Sequence, residues 1–575
     1  MYLKRCGPSK GKKEHVYWEL VESYRTERGP RQQVVAYLGD INQAECTGVK
    51  QAAEKKKGYW QSLLFDAEGE PEWVEVDTKR IRVGKVRDFG GYWLGLQMLE
   101  KLELTSFLEL TIPHGREDIE WSIMGLALVL WRLCEPSSEL HMVEHLYERS
   151  PLGELLGIPD EKMNDNRLYR SLDNLLPHKS ALEKHLKGRL GELFNLEYDL
   201  LLYDVTSVYF EGEAADNEQA KRGYSRDHRP DCKQICIALV VSREGMPLGD
   251  EVISGNRHDA TTVEDIVTKI ESQYGRAGRI WVMDRGMLSE DNLEFLQSQK
   301  RRYIIGTPKS QLKHFEQELL SGDWEKIRDG LAVKSCPSPD GEETFVLCQS
   351  EARAQKEKAI HDRFEKRIEK GLKKIAESCR QRKQKVGRIE RRVGRLLGAN
   401  TRAAGLFKVE VKEGKSSQVQ IAWQKEEAWR EWAELSEGYY MLRTNITDWN
   451  AGELWEAYIQ LTQAETAFRI QKSDLRIRPI WHQKEDRVKA HILVCFLAYV
   501  LWKMLGQMCK RAGLGNEPRK VFDEIAQIKV VDVVIPTKQG TVITRRCISQ
   551  PTKAQSVLLQ RLNLHLPQYM KTYQL

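Results

Sequence analysis

YDLLLYDVTSVYFEG, Tyr198–Gly212, is the stretch on which the fold turns. Apolar, β-branched and aromatic residues fill it without the three-and-four spacing of an amphipathic helix. It therefore reads as a strand lying inside a sheet. One residue breaks the pattern. Asp204 sits within the apolar run, where a carboxylate left unpaired would be costly. A turn or capping aspartate, or one satisfied by a neighbouring arginine, is the plain explanation; a carboxylate facing a cleft is the functional one.

Outward from this strand the pattern continues in alternation. A polar loop, GYSRDHRPD, precedes KQICIALVVSREGMPLGDEVISGN, two strands around a turn at Glu244-Gly245. A helix capped near Thr261–Thr262 leads to the apolar strand RIWVMDRG, which carries Asp284 at its end. The helix LSEDNLEFLQSQ and the strand RYIIGT follow, so residues 197–309 predict a mixed α/β domain. Upstream, residues 1–88 read as strands and turns, including two strands in HVYWELVESYRTERGPRQQVVAYLGD and the charged stretch AAEKKKGYW. Residues 89–196 are helical, cut short by prolines.

Downstream, residues 310–450 hold strand-like pieces, ETFVLCQ, LFKVEVK and SQVQIAWQ, around a basic segment. Residues 353–395 carry 17 Lys and Arg against six Asp and Glu, an excess of +11 in a chain whose net charge is +6. Within it Phe364, Ile368, Leu372 and Ile375 make a narrow apolar stripe on a charged helix. A polyanion partner and a solvated helix face both account for the charge. Helix resumes over Ala451–Leu475 and Val488–Arg511 in residues 451–512, and a hairpin and short helix occupy 513–575.

The bulk numbers bound the class. A chain of 575 residues with 41% hydrophobic and 30% charged side chains, mean hydropathy −0.55, is expected to fold as several soluble domains. The longest apolar run, Ile492–Trp502, is shorter than the ~20 residues of a membrane span and predicts a buried helix. Eleven scattered cysteines without a CxxC pair indicate neither a zinc ribbon nor a disulfide framework, so a reducing cytoplasm is expected. Two motifs are decoys. EGKSS at 413–417 lacks the glycine a phosphate loop needs five residues earlier, where Val409 stands. HMVEH, His141–His145, has paired histidines but no third ligand in view.

Asp204 and Asp284 gain meaning from a third carboxylate, Glu465, in ETAFRIQKSDLRIRPIWH. Should their strands be neighbours and the Glu465 helix cover that edge, three carboxylates would meet and repel unless a cation sat among them. Oxygen ligands suit Mg²⁺ or Mn²⁺, and two such ions about 3.5–4 Å apart serve phosphodiester chemistry. On one helix Tyr458, Glu465, Arg469, Lys472 and Arg476 would form a single stripe, setting phosphate-binding groups beside a metal ligand. An exposed Glu465–Arg469 ion pair of ~0.3–0.5 kcal/mol is the simpler account of part of it.

These blocks resemble DDE transposases of bacterial insertion sequences whose third acidic residue lies in a Y-x2-R-x3-E-x6-K signature. YIQLTQAETAFRIQK supplies Tyr458, Glu465 and Lys472 at the required spacing, and YDVTSVYFEG and WVMDRGMLSEDNLEFL resemble the two aspartate blocks. The signature arginine position holds Leu461; either that contact is missing here or Arg469 takes it over. The resemblance implies a ribonuclease H-like mixed-sheet core interrupted by a large, partly β insertion, which the long stretch between Asp284 and Glu465 accommodates. It implies Asp204, Asp284 and Glu465 as catalytic metal ligands for Mg²⁺, and DNA contacts from Tyr458 and Lys472. It further implies end recognition within the regions 1–88 and 89–196, strand cleavage and joining, and a synaptic homodimer. Rival expectations are a nuclease on the same core that never joins strands, and a non-catalytic DNA-binding derivative working through residues 353–395.

Overall fold

The computed structural model describes residues 2–6, 17–26, 29–39, 75–276, 278–413 and 418–567. AAEKKKGYW and residues 414–417 of EGKSS lie outside them. The chain divides into two compact units, one of residues 1–258, 265–277 and 462–575, the other of 259–264 and 278–461.

In the first unit, Leu200–Tyr209 is a strand, and eight of its ten residues are buried. It pairs antiparallel with Gln234–Ser242, Asp204 facing Leu239, and that strand pairs in turn with Pro247–Ser254. The turn between the last two falls at Glu244-Gly245 as expected. Gly245 takes φ +77 there, a conformation that L side chains rarely adopt. Helix Thr462–Ser473 packs on the Leu200–Tyr209 strand. The apolar run Ile492–Trp502 lies inside the 27-residue helix Glu485–Arg511. That helix is long and apolar enough to cross a membrane, yet 78% of its most apolar window is buried within the protein. It lies against helix Trp121–Cys134, in which only Ile123 and Cys134 are not buried. Each large apolar side chain taken out of water there contributes roughly 1.5–3 kcal/mol.

Two further sheets belong to this unit. Tyr2–Cys6, Tyr17–Thr26 and Gly29–Gly39 form an antiparallel sheet in chain order. The hairpin Lys529–Pro536 and Val542–Ile548 recruits Arg82–Asp88, from near the other end of the chain, as a third strand.

The second unit holds a mixed sheet. Its strands run in the order Ile280–Met283, Arg302–Gly306, Tyr439–Thr444, Thr344–Ser350, Leu331–Pro337, Glu325–Arg328. The first pair is parallel and the others antiparallel. The strand-like ETFVLCQ thus joins the sheet begun by WVMDRG and RYIIGT. Between Thr344–Ser350 and Tyr439–Thr444 the chain builds helices Glu351–Gln381 and Val386–Gly398, the ribbon Phe407–Glu413 with Val419–Lys425, and helix Glu427–Leu435. The predicted apolar stripe closes a separate core here, with Ile368, Leu372 and Ile375 packed against Ile389, Val393 and Phe407. The basic segment is two helices, not one. The expected class, α/β with a mixed sheet, is the observed one.

Candidate active site

Asp204 is the one half-buried residue between Leu200 and Val208, all of which are otherwise buried. Its Oδ1 accepts the Val205 backbone N–H at 2.8 Å. The helix carrying Glu465 packs on this strand and buries Ala464, Ala467, Phe468, Ile470 and Gln471, leaving Glu465 and Arg469 exposed. Asp204 and Glu465 therefore belong to one unit, on elements in contact.

Asp284 belongs to the other unit. It ends the wholly buried strand Ile280–Met283 and emerges exposed, at φ −75 and ψ 163, as the N-cap of the short turn Arg285–Met287. The hydroxyl of Tyr458, from helix Ala451–Ile459, donates to Asp284 Oδ1 at 3.5 Å. Burial and the Asp284 charge push the Tyr458 hydroxyl far above its ordinary range, so it stays protonated and a donor.

The single basic stripe does not form. Helix Ala451–Ile459 ends before Gln460, Leu461 turns inward and is buried, and a second helix begins at Thr462. The break falls at Gln460-Leu461, and the position where the signature places a cation holds a buried apolar side chain. Tyr458 thus sits on a different helix from Glu465, Arg469 and Lys472. Arg476 lies beyond the second helix, exposed, with φ +45. Lys472 is not a free cation either, since its Nζ donates to Asp227 Oδ1 at 3.0 Å. Burial lowers its pKa, and the Asp227 charge opposes that shift.

The segment after the helix is tied down at every few atoms. Ile477 N–H donates to Gln471 O, Ile480 N–H to Tyr209 O and Glu211 N–H to Ile480 O. The guanidinium of Arg132, 3% exposed, donates to the carbonyls of Leu475, Arg476 and Ser137. Beneath lies a cluster that sequence reasoning missed: Glu139, His482 and His491, all buried, with ligand atoms within 4.8 Å of one another. Glu139 is remote in sequence from the two histidines, and no local motif joins them. His482 Nε2 is 3.2 Å from Glu139 Oε1. His491 Nε2 lies 3.1 Å from Ile477 O, and its Nδ1 3.5 Å from Arg132 Nη2. The tautomer that satisfies both is Nε2–H donating and Nδ1 accepting. With both nitrogens of His491 engaged and a guanidinium alongside, this is a hydrogen-bonded anchor and a poor cation site. Burial, reinforced by Arg132, drives the His491 pKa down to about 3. Burial alone would raise Glu139, but the His482 hydrogen bond and the surrounding positive groups hold it at about 2.

Comparison with known proteins adds the following. The family model described as the transposase DDE domain matches residues 195–501, more than half of the chain. That described as the N-terminal domain of IS1634 family transposases matches residues 4–66. Among solved structures, the cryo-EM structure of a piggyBac transposase synaptic complex with hairpin DNA is similar at 9% identity and TM-score 0.34, over 85% of this chain and 82% of that one. No curated protein matches the chain.

Proposed function

Because the chain belongs to the DDE-domain transposases of insertion sequences, we propose that it binds the terminal inverted repeats of its element, cuts the DNA at their ends and joins the freed 3′-hydroxyls to target DNA. Asp204, Asp284 and Glu465 are the metal-holding residues in this reading, on a ribonuclease H-like core. A homodimer holds two ends together, and the regions 1–88 and 89–196 read them. The observation that carries the assignment is Asp204, a carboxylate set into an otherwise buried strand on which the Glu465 helix packs. An acid adds nothing apolar to such a strand, and a cation held beside it would favour its charged form.

The donor set fits a divalent cation, since three carboxylates offer hard oxygens alone, suited to Mg²⁺ and also to Mn²⁺. When bound, such ions supply Lewis acidity that activates a water or 3′-hydroxyl and offsets charge on the departing oxygen. The protein's own groups do the rest. Tyr458 directs one oxygen of Asp284 through its hydroxyl. Lys472 offers further N–H donors to phosphate, and Arg469 and Arg476 stand exposed for backbone contact.

Asp284→Asn and Glu465→Gln should each abolish strand cleavage while gel-shift binding to the element ends persists. Full cleavage by either variant would sink the assignment. Joining of pre-cut ends in Mg²⁺ separates a transposase from a plain nuclease, which yields no joined product.

A further inference from the structure

The loop GYSRDHRPD, residues 223–231, has no part in the chemistry described so far, yet it is built with care. Arg226 N–H donates to Ser207 Oγ on the Leu200–Tyr209 strand at 3.1 Å, and Gln234 Nε2 donates to Tyr224 O at 3.1 Å. Arg229 N–H donates to Ser225 Oγ at 3.0 Å, and His228 closes the turn at φ +57. The product of this scaffolding is the placement of one acid. The Asp227 side chain is 4% exposed. Its Oδ1 receives Lys472 Nζ at 3.0 Å and Arg478 Nη1 at 3.1 Å. Its Oδ2 is buried without a hydrogen-bond partner.

One carboxylate oxygen thus holds two cations, and Arg226 also acts on Lys472 electrostatically. The balance at this point is positive. Two like charges converging on one point repel unless something holds them there. Lys472 spends one of its three N–H groups on Asp227, while Arg478 meets the same oxygen as an ion pair through Nη1; its Nε is buried, so its terminal nitrogens and the remaining Lys472 N–H groups are the donors left for an outside anion. Arg478 is held from both sides by the backbone bonds of Ile477 and Ile480. The two donors are set before any ligand arrives, and little side-chain entropy remains to be lost on binding.

We propose that Asp227 is a positioning residue that fixes Lys472 and Arg478 as a two-pronged clamp for one phosphodiester of bound DNA. The inference rests on the transposase reading and adds to it the acid that assembles the clamp and its second cation. It also fixes the sign of a mutational effect. An acid near a DNA path ordinarily repels DNA, so neutralising it tightens binding. Neutralising an acid that organises two cations weakens binding.

The test is fluorescence anisotropy of the full chain with a random-sequence DNA duplex across a salt series, since a phosphate clamp needs no particular sequence. Asp227→Asn keeps the shape and removes the charge; Asp227→Glu restores the charge. Asp227→Asn is expected to weaken binding roughly tenfold and to flatten the slope of log affinity against log salt by about one to two, with partial recovery in Asp227→Glu. Unchanged or tighter binding by Asp227→Asn overturns the proposal, as does weaker binding with an unchanged slope, which marks a merely structural role. Lys472→Ala separates the layers. Weaker binding by Lys472→Ala with Asp227→Asn unaffected defeats the positioning role alone. No salt dependence in the unmodified chain defeats the DNA reading beneath it.

Discussion

Acid should loosen the anchor under the Leu475–His482 segment, and the amount follows from two side chains. His491 stays neutral in the folded chain down to about pH 3, against an ordinary value of 6.5. Between those limits the unfolded chain binds a proton that the folded chain refuses, so stability is full above 6.5 and falls as pH drops through the window. At about pH 5 the loss from His491 alone is about 2 kcal/mol. Glu139, held at about 2 instead of 4.5, acts in the same direction but only at lower pH. Its stabilisation is present above 4.5 and is lost as pH falls toward 2. Hydrogen exchange of the buried amides in helix Glu485–Arg511, corrected for the intrinsic rate, reads the opening free energy at about pH 7.5 and about pH 5. The expected drop is about 2 kcal/mol, and His491→Gln, which keeps a donor for Ile477 O, should remove most of it. An equal drop in that variant, or none in the unmodified chain, would refute the argument.

Two more outcomes follow from the second unit. Leu372→Ala should cost about 2–5 kcal/mol, because the side chain is fully buried in the core formed by helices Glu351–Gln381 and Val386–Gly398. Limited proteolysis should then cut within residues 351–435 while helix Glu485–Arg511 stays protected. Tyr458→Phe removes a single stretched hydrogen bond to Asp284. Its single-turnover cleavage rate should fall about threefold to fivefold with DNA affinity unchanged. A loss of affinity instead would make Tyr458 a DNA contact, as its place in the signature suggests.

Local periodicity carried much of this architecture. The Tyr198–Gly212 strand, the hairpin turning at Gly245, the stripe of Ile368, Leu372 and Ile375, and the helix around Ile492–Trp502 are all short-range patterns, and each forms where its pattern predicts. Asp204 was conspicuous for the same reason, as an acid in an apolar run. What could not be read were pairings across long separations. Nothing in the sequence marks Arg82–Asp88 as the partner of Lys529–Pro536, or brings Glu139 to His482 and His491. The stripe from Tyr458 to Arg476 failed because helical spacing assumes an unbroken helix, and the chain turns at Gln460-Leu461 between two helices and leaves the second before Arg476. Asp227 went unnoticed because a charged residue in a polar loop looks solvated until its distant partners, Lys472 and Arg478, are known.

The crossing at Ser350 and Gly438 has an engineering consequence. Ser350 N–H donates to Gly438 O at 3.0 Å, so the chain leaves and re-enters the sheet through neighbouring backbone. Gly438 takes φ +80, and a Cβ there would lie 2.6 Å from Ser350 O. Whatever lies between those two residues is, for the strands on either side, a single connection whose ends already meet. Loop-closure entropy grows only slowly with length, so the length of the connection by itself costs the host sheet little. The junction is a natural splice site. Replacing residues 351–437 by a short turn should leave the register of the flanking strands unchanged, at the cost of the contacts that Trp432 makes with the core around Met441 and Glu357 with Lys309.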